Sequence, residues 1–183
     1  LTGSYAWKHN PGGYPLPTDV RATDVTPLFS GGKGTGAEPF LIATKDDLKN
    51  LSWAAGFNWS FTGQYLRQTA DIALNAPMEQ WGEQMPELWT PVADYHSGNT
   101  VWTNHFCGTY DGAFHSVRNL YIDKNAPMYA GLFGVLGSGA CIMNLGVVDA
   151  WVEGENYAGI LVGGAKDQND GNDGTRTVLR CWT

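Results

Sequence analysis

The feature that most constrains this chain is internal repetition. Tyr129-Ala130-Gly131-Leu132-Phe133 returns as Tyr157-Ala158-Gly159-Ile160-Leu161, an offset of 28 residues (129 to 157). A second ladder runs beside it. Val117-Arg118-Asn119-Leu120-Tyr121-Ile122 is echoed by Ile142-Met143-Asn144-Leu145-Gly146-Val147 and again by Val178-Leu179-Arg180-Cys181-Trp182-Thr183, at offsets of 25 (117 to 142) and 36 (142 to 178). Small or apolar residues hold the first, fourth and sixth places of every copy. Stacking in register therefore makes one buried column of Val117, Ile142 and Val178 and another of Leu120, Leu145 and Cys181. A unit of roughly 25 to 30 residues with two or three short strands cannot bury its own apolar face, so neighbouring units must stack, as in a solenoid. The polar insert at 166–176 accounts for the longer second offset. Leucine-rich repeats have a period of about 20 to 29 residues, but their L-x-x-L-x-L spacing is missing. The expectation is an all-β fold, a short parallel β-helix.

Composition agrees. Only 16% of the 183 residues are charged, and there are 24 glycines and eight tryptophans; an average domain has about 25% charged residues and about 7% glycine. That profile belongs to turn-rich β-structure. The net charge of −7 offers no basic footprint for a phosphate backbone, which excludes nucleic acid as a partner. Residues 126–148 carry no charge and are long enough to cross a bilayer, but Pro127, Asn144 and five glycines make a poor lipid-facing helix. The stretch reads as buried β-structure, so the chain is not expected to span a membrane. Three cysteines, Cys107, Cys141 and Cys181, allow at most one bridge, and no C-x-x-C pair or zinc spacing is present.

Residues 1–33 form an irregular leader rich in Gly, Pro and Tyr. Residues 34–183 form the repeat domain. Phe40-Leu41-Ile42 is a short apolar strand, and Thr44 stands three residues before Asp47, a capping-box variant that starts a helix. Leu48, Leu51 and Ala55 give this helix one apolar face, and Gly56 ends it. Leu66, Ala70, Ile72 and Leu74 then alternate as in a strand. Residues at about 75–105 look like an insertion loop, broken by Pro77, Pro86 and Pro91 and carrying Trp81, Trp89, Tyr95 and Trp102. There is no signal peptide at Leu1, as in a mature or trimmed chain, and the repeats stop mid-coil at Thr183, so the expectation is a fragment of a longer protein or a very short solenoid with an unusual end.

These segments together resemble the bacterial surface proteins with GLUG repeats, which include β-helical regions of immunoglobulin-A peptidases. The resemblance covers about 34–183 and rests on order and spacing. Gly34-Thr35-Gly36 with Pro39-Phe40-Leu41-Ile42 is similar to the family's entry motif, followed by the Asp46-Asp47-Leu48 helix. Phe61-Thr62-Gly63-Gln64-Tyr65, Ala70-Asp71-Ile72-Ala73-Leu74, Trp89-Thr90-Pro91-Val92 and Phe106-Cys107-Gly108-Thr109-Tyr110-Asp111-Gly112 with His115 follow in order. The glycine-rich repeat itself is Tyr157-Ala158-Gly159-Ile160-Leu161-Val162-Gly163. Two positions depart from the pattern: Gly134 stands where the second copy has Val162, and Cys107 replaces a small polar residue. The resemblance implies a right-handed β-helix capped by the helix at 46–55, on a secreted or cell-surface bacterial protein. It implies no catalytic residues, and the peptidases' H-E-x-x-H zinc motif is absent from this chain.

Candidate sites are few. Asp167, Asn169, Asp170 and Asp173 lie in an oxygen-rich run suited to calcium, though no register completes an EF-hand loop, and a solvated turn is the plainer reading. No other cofactor is expected. His96 and His105 flank Asp94 without defined geometry, and loop histidines are usually polar surface. Cys107 and His115 lack any recognisable oxyanion hole, and a half-buried thiol is the better reading of Cys107. Asp71 and Asp111 are available to a polysaccharide lyase or glycosidase, yet both sit beside turns where carboxylates cap backbone N–H groups. Trp89, Trp53 and Phe57 are expected to pack. Trp81, Tyr95 and Trp102 match no such position: the plainer reading is that they pack the loop onto the β-helix wall, and the functional one is that they bind sugar faces or a protein partner, as exposed rings can. The sequence thus favours a non-catalytic adhesion module for a host or environmental glycan or an extracellular protein. A polysaccharide-degrading enzyme and a structural spacer are the alternatives.

Overall fold

The computed structural model describes residues 27–57, 59–93, 105–123, 128–154, 156–165 and 174–183, together with two short strands nearer the N-terminus. Among the described residues the fold is all-β with one α-helix. Those first strands, β1 (Trp7–Lys8) and β2 (Leu16–Pro17), pair antiparallel; among the described residues every later strand pairing is parallel.

The segment after residue 27 adds Leu28 and Phe29 to the core. Its backbone pairs with β3 (Phe40–Ile42): the Ser30 amide donates to Leu41 O, and the Leu41 amide donates to Gly31 O. Helix α1 (Lys45–Gly56) follows at once. Thr44 Oγ1 accepts from the Asp47 amide at 3.1 Å, and Asp47 Oδ2 accepts from the Thr44 amide at 2.9 Å, so the capping box forms as the spacing predicts. The same carboxylate oxygen also accepts from Ala43 N and Ser30 Oγ. Leu48, Leu51, Ala54 and Ala55 face the core.

Strands β4 (Tyr65–Gln68) and β5 (Ile72–Ala73) come next, separated by a corner at 69–71. Two successive runs of five strands, each here called a turn, then match strand for strand. The first contains β6 (Thr109–Asp111), β7 (Ser116–Arg118), β8 (Tyr121–Ile122), β9 (Tyr129–Ala130) and β10 (Phe133–Leu136). The second contains β11 (Cys141–Met143), β12 (Gly146–Val148), β13 (Trp151–Val152), β14 (Tyr157–Ala158) and β15 (Val162–Ala165). Each strand of the second turn lies beside its counterpart in the first. A final strand, β16 (Thr177–Leu179), lies on β11. The widest sheet has five strands in the order β16-β11-β6-β4-β3, which lines up Phe40, Leu66, Tyr110, Ile142 and Val178. Among the described residues the other sheets hold two or three strands, and none closes on itself.

The 28-residue echo marks true neighbours, since Tyr129 pairs with Tyr157 and their rings stack at 4.7 Å. The pairing of Ile142 with Val178 also holds, but Val178, on the last strand of its sheet, is 52% exposed rather than buried. The 25-residue echo does not. Val117 lies beside Val147 and Ile72, while Ile142 lies beside Tyr110. The reason is local: Asn119, Asn144 and Arg180 all take left-handed backbone conformations (φ 56°, 52° and 52°) between a strand and the apolar residue that turns inward. The echo reports three similar corners, two of them at different places around the stack. Gly134 also shifts, because Phe133 pairs with Val162 and Val135 with Gly164, leaving Gly134 opposite Gly163. A side chain at Gly134 would meet the Ala93 carbonyl at 2.7 Å.

Between the strands runs a column of rings. Phe106 lies 6.0 Å from Phe61 and 5.1 Å from Phe133, which lies 5.5 Å from Tyr110. The buried Tyr110 hydroxyl donates to Gln68 Oε1 at 3.0 Å, and Gln68 Nε2 donates to Ala70 O and Ser116 O. The buried polar groups of Tyr110 and Gln68 are therefore satisfied by each other and by these two carbonyls. Among the described residues, no helix is long and apolar enough to cross a membrane.

Candidate functional site

The stretch at 75–105 is not one loop. Its middle rejoins the stack: the Trp89 amide donates to Tyr121 O, Val92 bridges to Phe133, and the Trp89 indole N–H donates to Leu132 O at 3.1 Å. Trp89 is buried, as expected. What protrudes ahead of it is an excursion over 76–86 whose two ends are clasped by one side chain. Asn75 Oδ1 accepts from the Glu87 amide at 2.8 Å, and Asn75 Nδ2 donates to Glu87 O and Asn119 O at 3.1 Å. Asn119 Nδ2 answers by donating to Asn75 O at 2.9 Å. A loop with ends this close, packed by its own side chains, is an Ω-loop.

Trp81 sits on this excursion after the 3-10 turn Met78–Gln80. Its indole N–H donates to Ala76 O at 2.8 Å, and its ring meets Tyr121 edge-on at 5.2 Å. Fixed in this way, Trp81 lines a groove of about 390 Å³ with Gln84, Lys45 and Glu87. Tyr95 and Trp102 lie outside the described residues, as do Asp94 and His96. So do Asp167, Asn169, Asp170 and Asp173 of the calcium expectation. Among the described residues, no group of three acidic, histidine or cysteine side chains could hold a metal ion.

Glu87 also borders a second and larger groove, of about 830 Å³, between α1 and the segment ahead of Trp89. Here the structure departs from expectation. Trp53 is 44% exposed and Phe57 71%, their ring centroids 4.7 Å apart. The inward face of α1 is taken by Leu48, Leu51 and Ala55, and the four-residue spacing of Lys45, Lys49, Trp53 and Phe57 puts these on a separate ridge. That spacing was visible in the sequence. What was not visible is that Glu87 reaches this ridge: its carboxylate lies 2.8 Å from Lys45 Nζ and 2.6 Å from Lys49 Nζ. Hydrogen bonds from Lys45 and then Lys49 hold its carboxyl at about 2, below the ordinary 4.5. The folded value being depressed, the contribution of these ion pairs is complete above pH 4.5 and fades as pH falls from there toward about 2. Ser52 Oγ, donating to Thr90 O at 2.7 Å, ties the helix to the groove floor.

The acidic candidates serve corners. Asp71 Oδ1 accepts from the Ser116 amide at 2.8 Å, a bond that holds its carboxyl below the usual range, and His115 Nδ1 lies 3.4 Å away. Asp111 Oδ1 accepts from the Ala113 amide and from Asn144 Nδ2. His105 is buried, and the half-buried Cys107 thiol lies 3.9 Å from the His105 carbonyl. Cys181 packs, half-buried, against the core. Burial pushes the Cys141 thiol up, and Cys181 adds to this.

No family model matches the chain. A "Putative Gly-rich membrane protein" of Evansella cellulosilytica is 29% identical over 144 residues, covering 79% of this chain and 15% of that protein. Halomucin of Haloquadratum walsbyi is 27% identical over 141 residues, covering 77% of this chain and 1% of that protein. The chain thus spans a small part of the curated relatives it matches. Among solved structures, the crystal structure of a "putative immunoglobulin A1 protease" from Bacteroides ovatus aligns with a TM-score of 0.60 at 21% identity, over 86% of this chain and 41% of that one. At that identity the likeness establishes a shared fold and nothing about chemistry.

Proposed function

We propose that this chain is a non-catalytic module of a secreted or cell-surface protein, built as a short right-handed parallel β-helix of GLUG type, that binds a glycan or protein partner through the aromatic residues of its 75–105 segment. Strand-for-strand stacking of successive turns supports the β-helix reading, and the names of the relatives, a membrane protein and an immunoglobulin A1 protease among them, support an extracellular setting. The observation that carries the binding reading is Trp81, held on an excursion clasped by Asn75 and lining a groove. A ring fixed in advance loses little entropy on binding, which favours recognition. Asp71 and Asp111 each engage backbone amides at corners, which favours binding over turnover.

The test is a screen of the purified chain on an array of glycans and extracellular-matrix proteins, first with calcium and then with chelator. The expected result is saturable binding that weakens at least about tenfold when Trp81, Tyr95 and Trp102 are all changed to alanine. Loss on chelation would assign calcium to Asp167, Asn169, Asp170 and Asp173. Absence of any binding would overturn the module reading in favour of a structural spacer, and release of products from a polysaccharide would overturn it in favour of an enzyme.

A further inference from the structure

The two grooves described above share one wall residue, Glu87. Each brings an aromatic platform and polar groups to the same line. The larger has the Trp53–Phe57 pair and Lys49; the smaller has Trp81, Gln84 and Lys45. We propose that these grooves form one extended binding track for a neutral pyranose polysaccharide, with Trp53 and Phe57 stacking on one sugar unit, Trp81 on another, and the Lys45–Glu87–Lys49 bridge hydrogen-bonding the hydroxyls between them. This inference rests on the adhesion reading and names the ligand class and the full extent of its site.

Four features carry it. First, exposed indole and phenyl rings match the C–H faces of a pyranose, which combine apolar area with a rim of hydroxyls. Two such rings 4.7 Å apart on one helix ridge form one continuous apolar patch, where scattered exposed residues do not. Second, the groups between the platforms are those that hydroxyls need: a carboxylate that accepts and two ammonium groups that donate. Lys45 and Lys49 grip Glu87 from α1, and Asn75 grips its backbone from the excursion, so the central contact is positioned before a ligand arrives. Third, charge selects the polymer. The bridge sums to +1, two lysines against one glutamate, on a chain of net −7. A bridge this close to neutral offers neither a polyanion nor a polycation a cluster of opposite charges. Fourth, the larger groove alone, at about 830 Å³, lies within the ~300 to 1,000 Å³ of small-ligand sites, and the smaller one adjoins it at Glu87, which lines both. A site with platforms in both grooves suits a polymer better than a monosaccharide.

The test begins with a glycan array to choose the linkage. Titration calorimetry of the full chain follows, with the matching hexasaccharide and disaccharide and with polygalacturonate as an acidic comparison. Trp53→Ala and Trp81→Ala are each expected to weaken hexasaccharide binding about tenfold, and Phe57→Ala and Glu87→Gln several-fold. The disaccharide should bind at least about tenfold more weakly than the hexasaccharide. Phe57 is 71% exposed, so its variant keeps the test valid should Trp81→Ala disturb the excursion. If a glycan binds but Trp53→Ala, Phe57→Ala and Glu87→Gln leave its affinity unchanged, the track is wrong and the adhesion reading survives. Preference for polygalacturonate, or equal affinity for disaccharide and hexasaccharide, would also overturn it. Binding only to a protein would remove the glycan inference while leaving the module, and binding to nothing would remove both.

Discussion

Replacing Gly112 by valine is expected to cost about 4 to 6 kcal/mol, enough to unfold much of the domain at room temperature. A Cβ placed there would lie 2.5 Å from the Asn144 carbonyl oxygen and 2.6 Å from Leu145 Cα. Those atoms are the backbone of the next turn of chain, so no rotamer change can relieve the contact. The corner is also closely bonded. The Gly112 amide donates to Met143 O and the Phe114 amide to Asn144 O, both at 2.8 Å, and Asp111 bridges to Asn144 Nδ2. Separating the two corners would lose these bonds, at about 1 kcal/mol each, on top of an overpacking cost of about 1 to 3 kcal/mol. Urea denaturation followed by circular dichroism measures the loss. Gly82→Ala is the control: nothing lies within 4 Å of its added carbon, and the midpoint should barely move. A Gly112→Val protein as stable as the parent would mean that the turns do not stack at this corner.

Phe133→Ala is expected to destabilise by about 3 to 5 kcal/mol through loss of burial and the cavity left behind. Phe133 is 0% exposed and sits between Phe106 and Tyr110 in the ring column, and its backbone pairs with Val162 while bridging to Val92. It therefore joins three successive layers. Phe133→Leu should cost less, since it leaves a smaller void. The same denaturation experiment checks both, and an alanine variant losing under about 1 kcal/mol would place Phe133 outside the core.

Much of this was legible in the chain, for identifiable reasons. The helix start followed from Thr44 and Asp47 because a capping box is local chemistry. The Tyr129–Tyr157 and Ile142–Val178 registers were legible because equivalent places in successive turns share residue types. The false alignment of Val117 with Ile142 came from the same source: left-handed corners recur within a turn as well as between turns, so similarity alone does not say which neighbour a segment stacks upon. The return of Trp89 and Val92 to the stack was hidden because its hydrogen bonds reach Tyr121 and Leu132, more than 30 residues on, across a stretch punctuated by prolines. At the candidate site, Trp81 stood out as an aromatic residue without a core role. Glu87 did not, since its partners Lys45 and Lys49 lie about 40 residues earlier. The Lys45-Lys49-Trp53-Phe57 ridge was a local signal, overshadowed by the apolar face used to recognise the helix.

The account stands on the stacking of successive turns, and scalar couplings across hydrogen bonds in the nuclear magnetic resonance spectrum test it most directly. Three couplings should appear: from the Cys141 amide nitrogen to the Gly108 carbonyl carbon, from Thr177 to Ala140, and from Trp151 to Leu120, following bonds of 2.8 to 2.9 Å. A coupling from Cys141 to His115 instead would restore the 25-residue register and contradict the layer assignment. Couplings confined to residues close in sequence would contradict the stacked fold itself.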